Sequence, residues 1–356
     1  MRKIITIVGA RPQFIKAATV SRQFSLCDVE ELIIHTGQHF DTNMSEVFFE
    51  EMEISAPAYQ LNIHGLSHAV MTARMLEGIE KILLKEKPDG VLVYGDTNST
   101  LAGGLAAAKL TIPLIHVEAG LRSYNRNMPE EINRIVTDKI SNVLFCPTSA
   151  AMENLRREGL ENSAVHIIKN GDVMQDAAIY YAAKAEQKSS IISDLGLNKF
   201  ILTTIHRQEN TDNENKLREI VNGLNDLNNL IQVIVPLHPR TRKLLNQYSI
   251  KAEFKVIEPV GYFDMIMLIR NSQLVVTDSG GIQKEAFFFG KHCITLRKET
   301  EWVELVENGF NILVGSNREK LLEAYSRLIN RKSDFSINLY GNGDAAAIAA
   351  LYIRNL

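Results

Sequence analysis

The chain is poor in the residues that mark a cross-linked, metal-clamped or membrane-spanning protein. Only three of its 356 residues are cysteine. Cys27, Cys146 and Cys293 lie far apart with no CxxC, which argues against a disulfide framework and a cysteine-rich zinc site and makes a reducing cytoplasm the expected compartment. No run approaches the roughly 18–20 consecutive apolar residues of a membrane span. Neither sign of charge dominates: 39 Lys and Arg against 42 Asp and Glu leave a formal net charge of −3 and a pI near 6.3. That balance gives no basic footprint for nucleic acid. The opening MRKIITIVGARPQ has too short an apolar stretch for a signal peptide and reads as a first buried strand.

What the chain does have is alternation. Short apolar, β-branched runs at Lys3–Val8, Glu31–His35, Gly90–Tyr94, Pro113–Val117, Asn142–Phe145, Val165–Ile168, Phe200–Ile205, Leu230–Val235, Phe254–Ile257, Leu274–Thr277 and His292–Leu296 are separated by longer helix-periodic stretches. The runs are continuous rather than alternating, as in strands covered on both faces of a parallel sheet. In the helical stretch 67–86, Val70, Met71, Met75, Ile79 and Leu83 fall near one face. Repeated β-α-β units predict an α/β fold of doubly wound, Rossmann-like sheets. So many strands are better divided between two domains: residues 1–170, with the alanine-rich helix 343–356 packing back on it, and residues 171–342. The turn signal Asn170-Gly171-Asp172 marks the expected boundary, and the polar stretch 184–193 reads as an exposed helix end and loop.

In open α/β sheets ligands bind beyond the carboxyl ends of the strands. Here those ends carry Gly9-Ala10-Arg11-Pro12, Thr36-Gly37-Gln38-His39, Gly95-Asp96-Thr97-Asn98, Glu118-Ala119-Gly120-Leu121-Arg122, His206-Arg207-Gln208-Glu209-Asn210, His238-Pro239-Arg240 and Asp278-Ser279-Gly280-Gly281. Any one cluster is ordinary loop polarity. Their recurrence at strand ends in both halves predicts a ligand cleft between two facing domains.

In the segment Asp278–Glu285, Ser279 is placed to cap a helix, and Gly280 and Gly281 let backbone N–H groups approach an anion at its positive end. Glu285 lies one turn further in, where a carboxylate can accept from a ribose diol. GxGxxG is absent after the first strand, which argues against a nicotinamide or flavin dinucleotide there. There is no HExxH, and no GxSxG nucleophile elbow. The acid–base candidates are Asp96, Glu118, Glu130, Glu131 and His206. Glu130 and Glu131 follow Pro129, and on residue evidence alone first-turn acidic residues favouring the helix dipole are the preferred reading of them. His116 reads as part of its strand. Residue chemistry alone predicts an anionic-sugar or nucleotide ligand and acid–base catalysis.

The segments GARPQFIK, TGQHF, YGDTNSTLAG, HVEAGLRS, MPEEINR, HRQEN, PLHPRTR and TDSGGIQKEA, in this order along nearly the whole chain, resemble the non-hydrolysing UDP-N-acetylglucosamine 2-epimerases. The resemblance implies a glycosyltransferase-B-like fold, a UDP-sugar substrate, inversion at C2 without a cofactor or metal, and a homodimer with neither nucleic-acid nor membrane partners. It places Asp96, Glu118, Glu130 and His206 at catalytic positions, without saying which is base and which acid. Arg11, Lys16, Arg207, His238, Ser279, Gly280, Gly281, Gln283 and Glu285 fall at substrate-binding positions.

Two departures stand out. Where the common enzymes read R-D-T-T-E-R-P-E, this chain has Arg297-Lys298-Glu299-Thr300-Glu301-Trp302-Val303-Glu304, its single tryptophan replacing an arginine. That stretch, with GQHFDTNMSEVFFE and NGDVMQDAA, is more similar to the branch acting on UDP-2,3-diacetamido-2,3-dideoxy-glucuronate for bacterial surface polysaccharide. Trp302 is then either a specificity marker or a packing substitution. The extra carboxylate of that substrate calls for a cation, with Arg122, Arg126 and Arg134 as candidates. Some family members also bind a second UDP-sugar beside TGQH as an activator; Phe40-Asp41-Thr42 argues against that site here.

Overall fold

The structure, a computed structural model, describes residues 1–38 and 52–356. His39, Phe40-Asp41-Thr42 and the rest of 39–51 lie outside the described residues, and with them the expectation about an activator site. The chain divides into two compact units, residues 1–179 with 338–356, and residues 180–337. The division falls within a helix, Val173–Lys188, past the Asn170-Gly171-Asp172 turn. The turn belongs to the first unit because the returning chain holds it: Asp172 N donates to Tyr340 O at 2.7 Å. Gly171, at φ +91°, brings its Cα to a point where a Cβ would lie 2.7 Å from that same carbonyl oxygen.

The first unit is a seven-stranded sheet in the order β3-β2-β1-β4-β5-β6-β7. Its strands are β1 Arg2–Val8, β2 Val29–His35, β3 Tyr59–Gln60, β4 Gly90–Tyr94, β5 Leu114–Val117, β6 Val143–Cys146 and β7 His166–Lys169. Every pairing in it is parallel. Crossovers are made by α1 Arg11–Phe24, α2 His68–Glu86, α3 Asn98–Lys109, α4 Pro129–Ile140 and α5 Ser149–Arg157. The last helix, α6 Ala345–Arg354 of the C-terminal segment, packs on α1.

The second unit is a six-stranded parallel sheet in the order β10-β9-β8-β11-β12-β13. Its strands are β8 Phe200–Thr204, β9 Gln232–Pro236, β10 Lys255–Ile257, β11 Leu274–Thr277, β12 Cys293–Thr295 and β13 Asn311–Leu313. Of its helices, those that bear on the site are α7 Gln208–Thr211, α8 Pro239–Gln247, α9 Gly280–Phe288 and α10 Val303–Glu307.

Both sheets thus wind the same way, and the fold class is the one expected: α/β, with two Rossmann-like parallel sheets. Central strands such as β4, β5 and β8 are buried along their whole length, which is why their residues run continuously apolar. Hydrophobic clusters cover both faces of the second sheet, with Ile201, Val233 and Val276 on one side and Leu202, Ile234 and Val275 on the other. On α2, Met71, Met75, Ile79 and Leu83 are buried as expected, but Val70 is 44% exposed. About 100° of helical turn separates it from Met71, on the side away from Met75, Ile79 and Leu83. Two edge strands, β3 and β13, were not expected; at two and three residues they are too short to carry a sequence signal.

Candidate functional site

In each unit the crossover changes direction beside the first strand, between β1 and β4 and between β8 and β11, the point at which open α/β sheets offer a crevice to ligands. In the first unit Gln13 spans that point. Its side-chain oxygen accepts from Gly9 N at 2.8 Å and Ala10 N at 3.1 Å, and its amide donates to Tyr94 O at 2.9 Å. The GARPQ segment is therefore built to tie the β1 end to the β4 end, with Arg11 opening α1 and partly exposed.

Lys16, one turn deeper on α1 and 7% exposed, forms an ion pair with Glu118, which follows β5 and is 9% exposed. The pair lies over Gly95: a Cβ there would be 3.1 Å from Glu118 Oε2 and 3.3 Å from Lys16 Nζ. Gly95 also needs φ +62°, in the left-handed region. Glu118 itself adopts φ +71° without being glycine, a strained conformation of the kind that collects at functional sites. It is held there because Glu118 N and Ala119 N both donate to Phe145 O, at 3.1 and 3.0 Å.

Helix α4 organises the rest. Pro129 opens it, and its inward face is charged: Glu131, Arg134 and Asp138 are all buried. Arg134 grips Asp96 Oδ2 through Nε at 3.0 Å and Nη2 at 2.7 Å, while Asn133 donates to Asp96 O at 2.8 Å. Arg134 also pairs with Glu131, whose carboxylate accepts from Ser123 N at 2.9 Å, Ser123 Oγ at 3.0 Å and Tyr124 N at 2.9 Å. Glu131 is thus spent on the loop, and its neighbour Glu130, half-buried, makes no ion pair among the described residues. Asp138 accepts from Gly120 N at 3.1 Å and pairs with His116 Nδ1 at 2.8 Å and Arg122 Nη1 at 2.7 Å. Burial pushes the Asp138 carboxyl up, but His116 and Arg122 outweigh it and hold it below its ordinary value. His116 Nε2 meets Gly95 O at 2.7 Å, so the α4 network fixes the Gly95–Asp96 turn from below.

Two of the three arginines considered for a substrate carboxylate are therefore committed. Arg134 holds Asp96 and Glu131, and Arg122 holds Asp138 and Glu158. Arg126 lies exposed in the turn before α4.

In the second unit, His206 and Arg207 follow β8, and Asp278 follows β11. Asp278 is fully buried and accepts from His206 N at 3.1 Å, Arg207 N at 3.0 Å and Asn210 Nδ2 at 3.2 Å. His206 Nδ1 lies 3.1 Å from its Oδ1, with the side chain 49% exposed. Burial raises the Asp278 carboxyl, but His206 and the donors of the turn prevail and hold it low.

Ser279 caps α9, its side chain accepting from Ile282 N at 3.5 Å. Gly281 stands open, whereas a Cβ on Gly280 would meet Glu301 Oε1 at 2.5 Å. Glu301 is paired with Arg297 at 2.8 Å and lies 4.0 Å from Arg207 Nη2. Glu285 is buried one turn along the helix. Gln283 is fully buried, accepting from Thr300 Oγ1 at 2.9 Å and donating to Ser279 O at 3.3 Å. Trp302 is 3% exposed with the Lys284 ammonium 3.9 Å from its ring centroid, a cation–π contact inside the unit rather than a ring presented to solvent. His238 is exposed at the start of α8, its Nδ1 accepting from Arg240 N at 3.2 Å.

The structure thus groups Lys16, Asp96 and Glu118 at one strand edge, with Glu130 opening the helix that grips Asp96. It groups His206, Arg207 and Ser279–Glu285 at the other. Sequence reasoning placed Asp278 at a strand end without giving it a role, and missed the role of Arg134. Their signal was position, a charged residue at a switch-point strand end and another on the inward face of a helix.

The family described as UDP-N-acetylglucosamine 2-epimerase matches residues 25–354 of this chain. A UDP-2,3-diacetamido-2,3-dideoxy-D-glucuronate 2-epimerase of Pseudomonas aeruginosa is 54% identical, over 99% of this chain and 100% of its own length. A UDP-N-acetylglucosamine 2-epimerase of Methanocaldococcus jannaschii is 44% identical, over 96% of each chain. Among solved structures, the M. jannaschii UDP-GlcNAc 2-epimerase in complex with UDP-GlcNAc and UDP superposes with a TM-score of 0.94 at 43% identity, over 99% of this chain and 100% of that one. Full-length matches at these identities leave one conclusion: the chain belongs to the UDP-N-acetylglucosamine 2-epimerase family and is a UDP-sugar 2-epimerase, an isomerase.

Proposed function

We propose that this enzyme inverts C2 of UDP-2,3-diacetamido-2,3-dideoxy-D-glucuronate, from the gluco to the manno configuration, for bacterial surface polysaccharide. The observation that carries the substrate choice is the 54% identity over the full chain to the P. aeruginosa enzyme of that name, against 44% to the M. jannaschii UDP-N-acetylglucosamine enzyme.

The reaction is an anti-elimination followed by re-addition. A base takes the C2 proton as the C1–O bond breaks, giving UDP and a 2-acetamidoglucal. UDP then adds back to C1 while a proton is delivered to the other face of C2. The C2 hydrogen is weakly acidic, so the step needs positioned carboxylates and stabilisation of the departing diphosphate. Asp96, Glu118 and Glu130 are the carboxylates of the first unit. Asp96 and Glu118 are held by Arg134 and Lys16, and Glu130 has no such counter-ion among the described residues. In the second unit His206 is the acid–base candidate, Arg207 and the N-terminus of α9 at Ser279, Gly280 and Gly281 supply donors for the diphosphate, and Glu285 a ribose contact. Arg11, His238 and Gln283 are further substrate-binding positions. Arg126 is our candidate for the uronate carboxylate, because Arg122 and Arg134 are already committed. A cytoplasmic homodimer is part of the same reading; no described helix is long and apolar enough to cross a membrane.

The second reading is the same chemistry on UDP-N-acetylglucosamine, supported by the TM-score of 0.94 to an enzyme solved with that sugar nucleotide. Proton NMR in deuterated water, with each UDP-sugar supplied alone and no cofactor added, separates the two. Exchange of the C2 proton and formation of the manno epimer with the diacetamido-glucuronate alone is expected. Turnover of UDP-N-acetylglucosamine alone would overturn the substrate choice, and turnover of neither would overturn the function.

A further inference from the structure

His206 and Asp278 stand on neighbouring strands of the second sheet. β8 and β11 pair in register with Thr204 opposite Thr277, so the residues just beyond each end share the switch-point crevice. Between them the contacts are of two kinds. Three are donors to the buried Asp278 carboxylate that build the turn: His206 N, Arg207 N and Asn210 Nδ2, at 3.0–3.2 Å. Asn210 is itself tied to the end of β12 through Leu296 O at 3.0 Å. The fourth contact, His206 Nδ1 to Asp278 Oδ1 at 3.1 Å, does nothing for the turn and orients only the imidazole.

We infer that Asp278 is a positioning residue that locks the His206 ring with its Nδ1–H on the carboxylate and offers Nε2 to the UDP-sugar. The argument is one of donors and acceptors. An ionised carboxylate only accepts, and this one is fully buried, with its acceptor positions met by N–H groups. The ring nitrogen facing it must therefore donate, which fixes the tautomer. Nε2 is then the acceptor of the neutral ring, on the part of the side chain that remains exposed. A hydrogen bond at one ring nitrogen deciding what the other can do is a general device for aligning an imidazole. The inference deepens the proposed function, since it rests on His206 acting on the substrate.

The test uses the full-length enzyme and the Asp278→Asn variant. Asparagine keeps the size and, through its oxygen, the acceptance of the backbone N–H groups. It also turns an amide N–H toward Nδ1, which moves the ring proton to Nε2. Nitrogen-15 NMR of His206, assigned with His206→Gln, is expected to show the Nδ1–H tautomer in the wild type and Nε2–H in the variant. With whichever of the two UDP-sugars the wild type turns over, kcat should fall by about a hundredfold or more while KM and the Kd for UDP stay within about threefold. In a His206→Ala background the same substitution should cost less than about threefold, because the ring it positions is gone. An Nε2–H tautomer in the wild type overturns the inference, whatever the fate of the variant's fold or activity. So does an equal loss in the presence and absence of the His206 ring, which is the signature of a purely structural aspartate. If the wild type turned over neither sugar, the proposed function would fall while the tautomer measurement still decided the geometry.

Discussion

Gly95 shows how much of the site depends on one missing methyl group. It follows β4, takes φ +62°, and leaves room for the Lys16–Glu118 pair above it. Gly95→Ala is expected to cost about 1–2 kcal/mol of stability from the left-handed backbone. It should also lower kcat at least tenfold by displacing Glu118; a denaturant titration and a steady-state assay read the two effects separately. Arg126 makes the opposite case, an exposed side chain whose proposed role lies wholly in the substrate. Arg126→Met should raise KM for the diacetamido-glucuronate nucleotide by about tenfold or more, through loss of a charge-assisted contact. KM for UDP-N-acetylglucosamine should not change, and an equal effect on both sugars would remove Arg126 from carboxylate recognition.

Among the elements, α4 inverts the usual reading of a helix. Apolar periodicity assigns the inward face to hydrophobic residues, yet here Glu131, Arg134 and Asp138 are buried and Ile132 is 49% exposed. Each buried charge has a partner from outside the helix, which is the condition under which such burial is tolerated. Those partners cannot be read from the helix's own residues. The helix Val173–Lys188 carries a buried carboxylate of another kind. Asp176 is 6% exposed and accepts from Ala346 N at 2.8 Å at the start of α6. Burial raises its carboxyl to about 6, only partly offset by the helix N–H groups, with Asp172 and Asp344 adding to the rise. Because the folded value lies above the ordinary 3.8, its contribution is fully present below pH 3.8 and is lost as pH rises through 6. Asp176→Asn should therefore be more stable than the wild type at pH 8, by up to roughly 3 kcal/mol from a shift of about two units. The difference should vanish near pH 4, and thermal melts at the two pH values check it.

Across the chain as a whole, Asp138 and Asp278 act in the reverse sense to Asp176. Both are fully buried, one in each unit, and both are held below their ordinary value of 3.8 by cationic and hydrogen-bonding neighbours. A depressed carboxyl contributes stability above its unfolded pKa, and that stability is lost as pH falls through the folded value. Acid unfolding should therefore set in below about pH 4 and involve both units. Circular dichroism from pH 7 to pH 2 is the check, and a chain equally stable at pH 2.5 and pH 6 would contradict it. The fold at this scale was legible in advance. Two parallel Rossmann-like sheets followed from continuous apolar runs alternating with helices, and the polar clusters from where those runs ended. The short edge strands β3 and β13 were not legible, because two or three residues carry no period.

Local sequence determined which residues are strand, which are helix and which stand at the carboxyl edge, since each depends on neighbours a few positions away. Only the tertiary structure decided the partnerships: Lys16 with Glu118, Arg134 with Asp96, and Asp278 with His206. Partners 102, 38 and 72 positions apart meet because the sheet order sets particular strand ends side by side. Whether a charge is offered to a ligand or spent on a neighbour depends on that adjacency. The same order that makes Arg134 and Asp278 internal supports leaves Arg126 and the outer edge of His206 facing solvent.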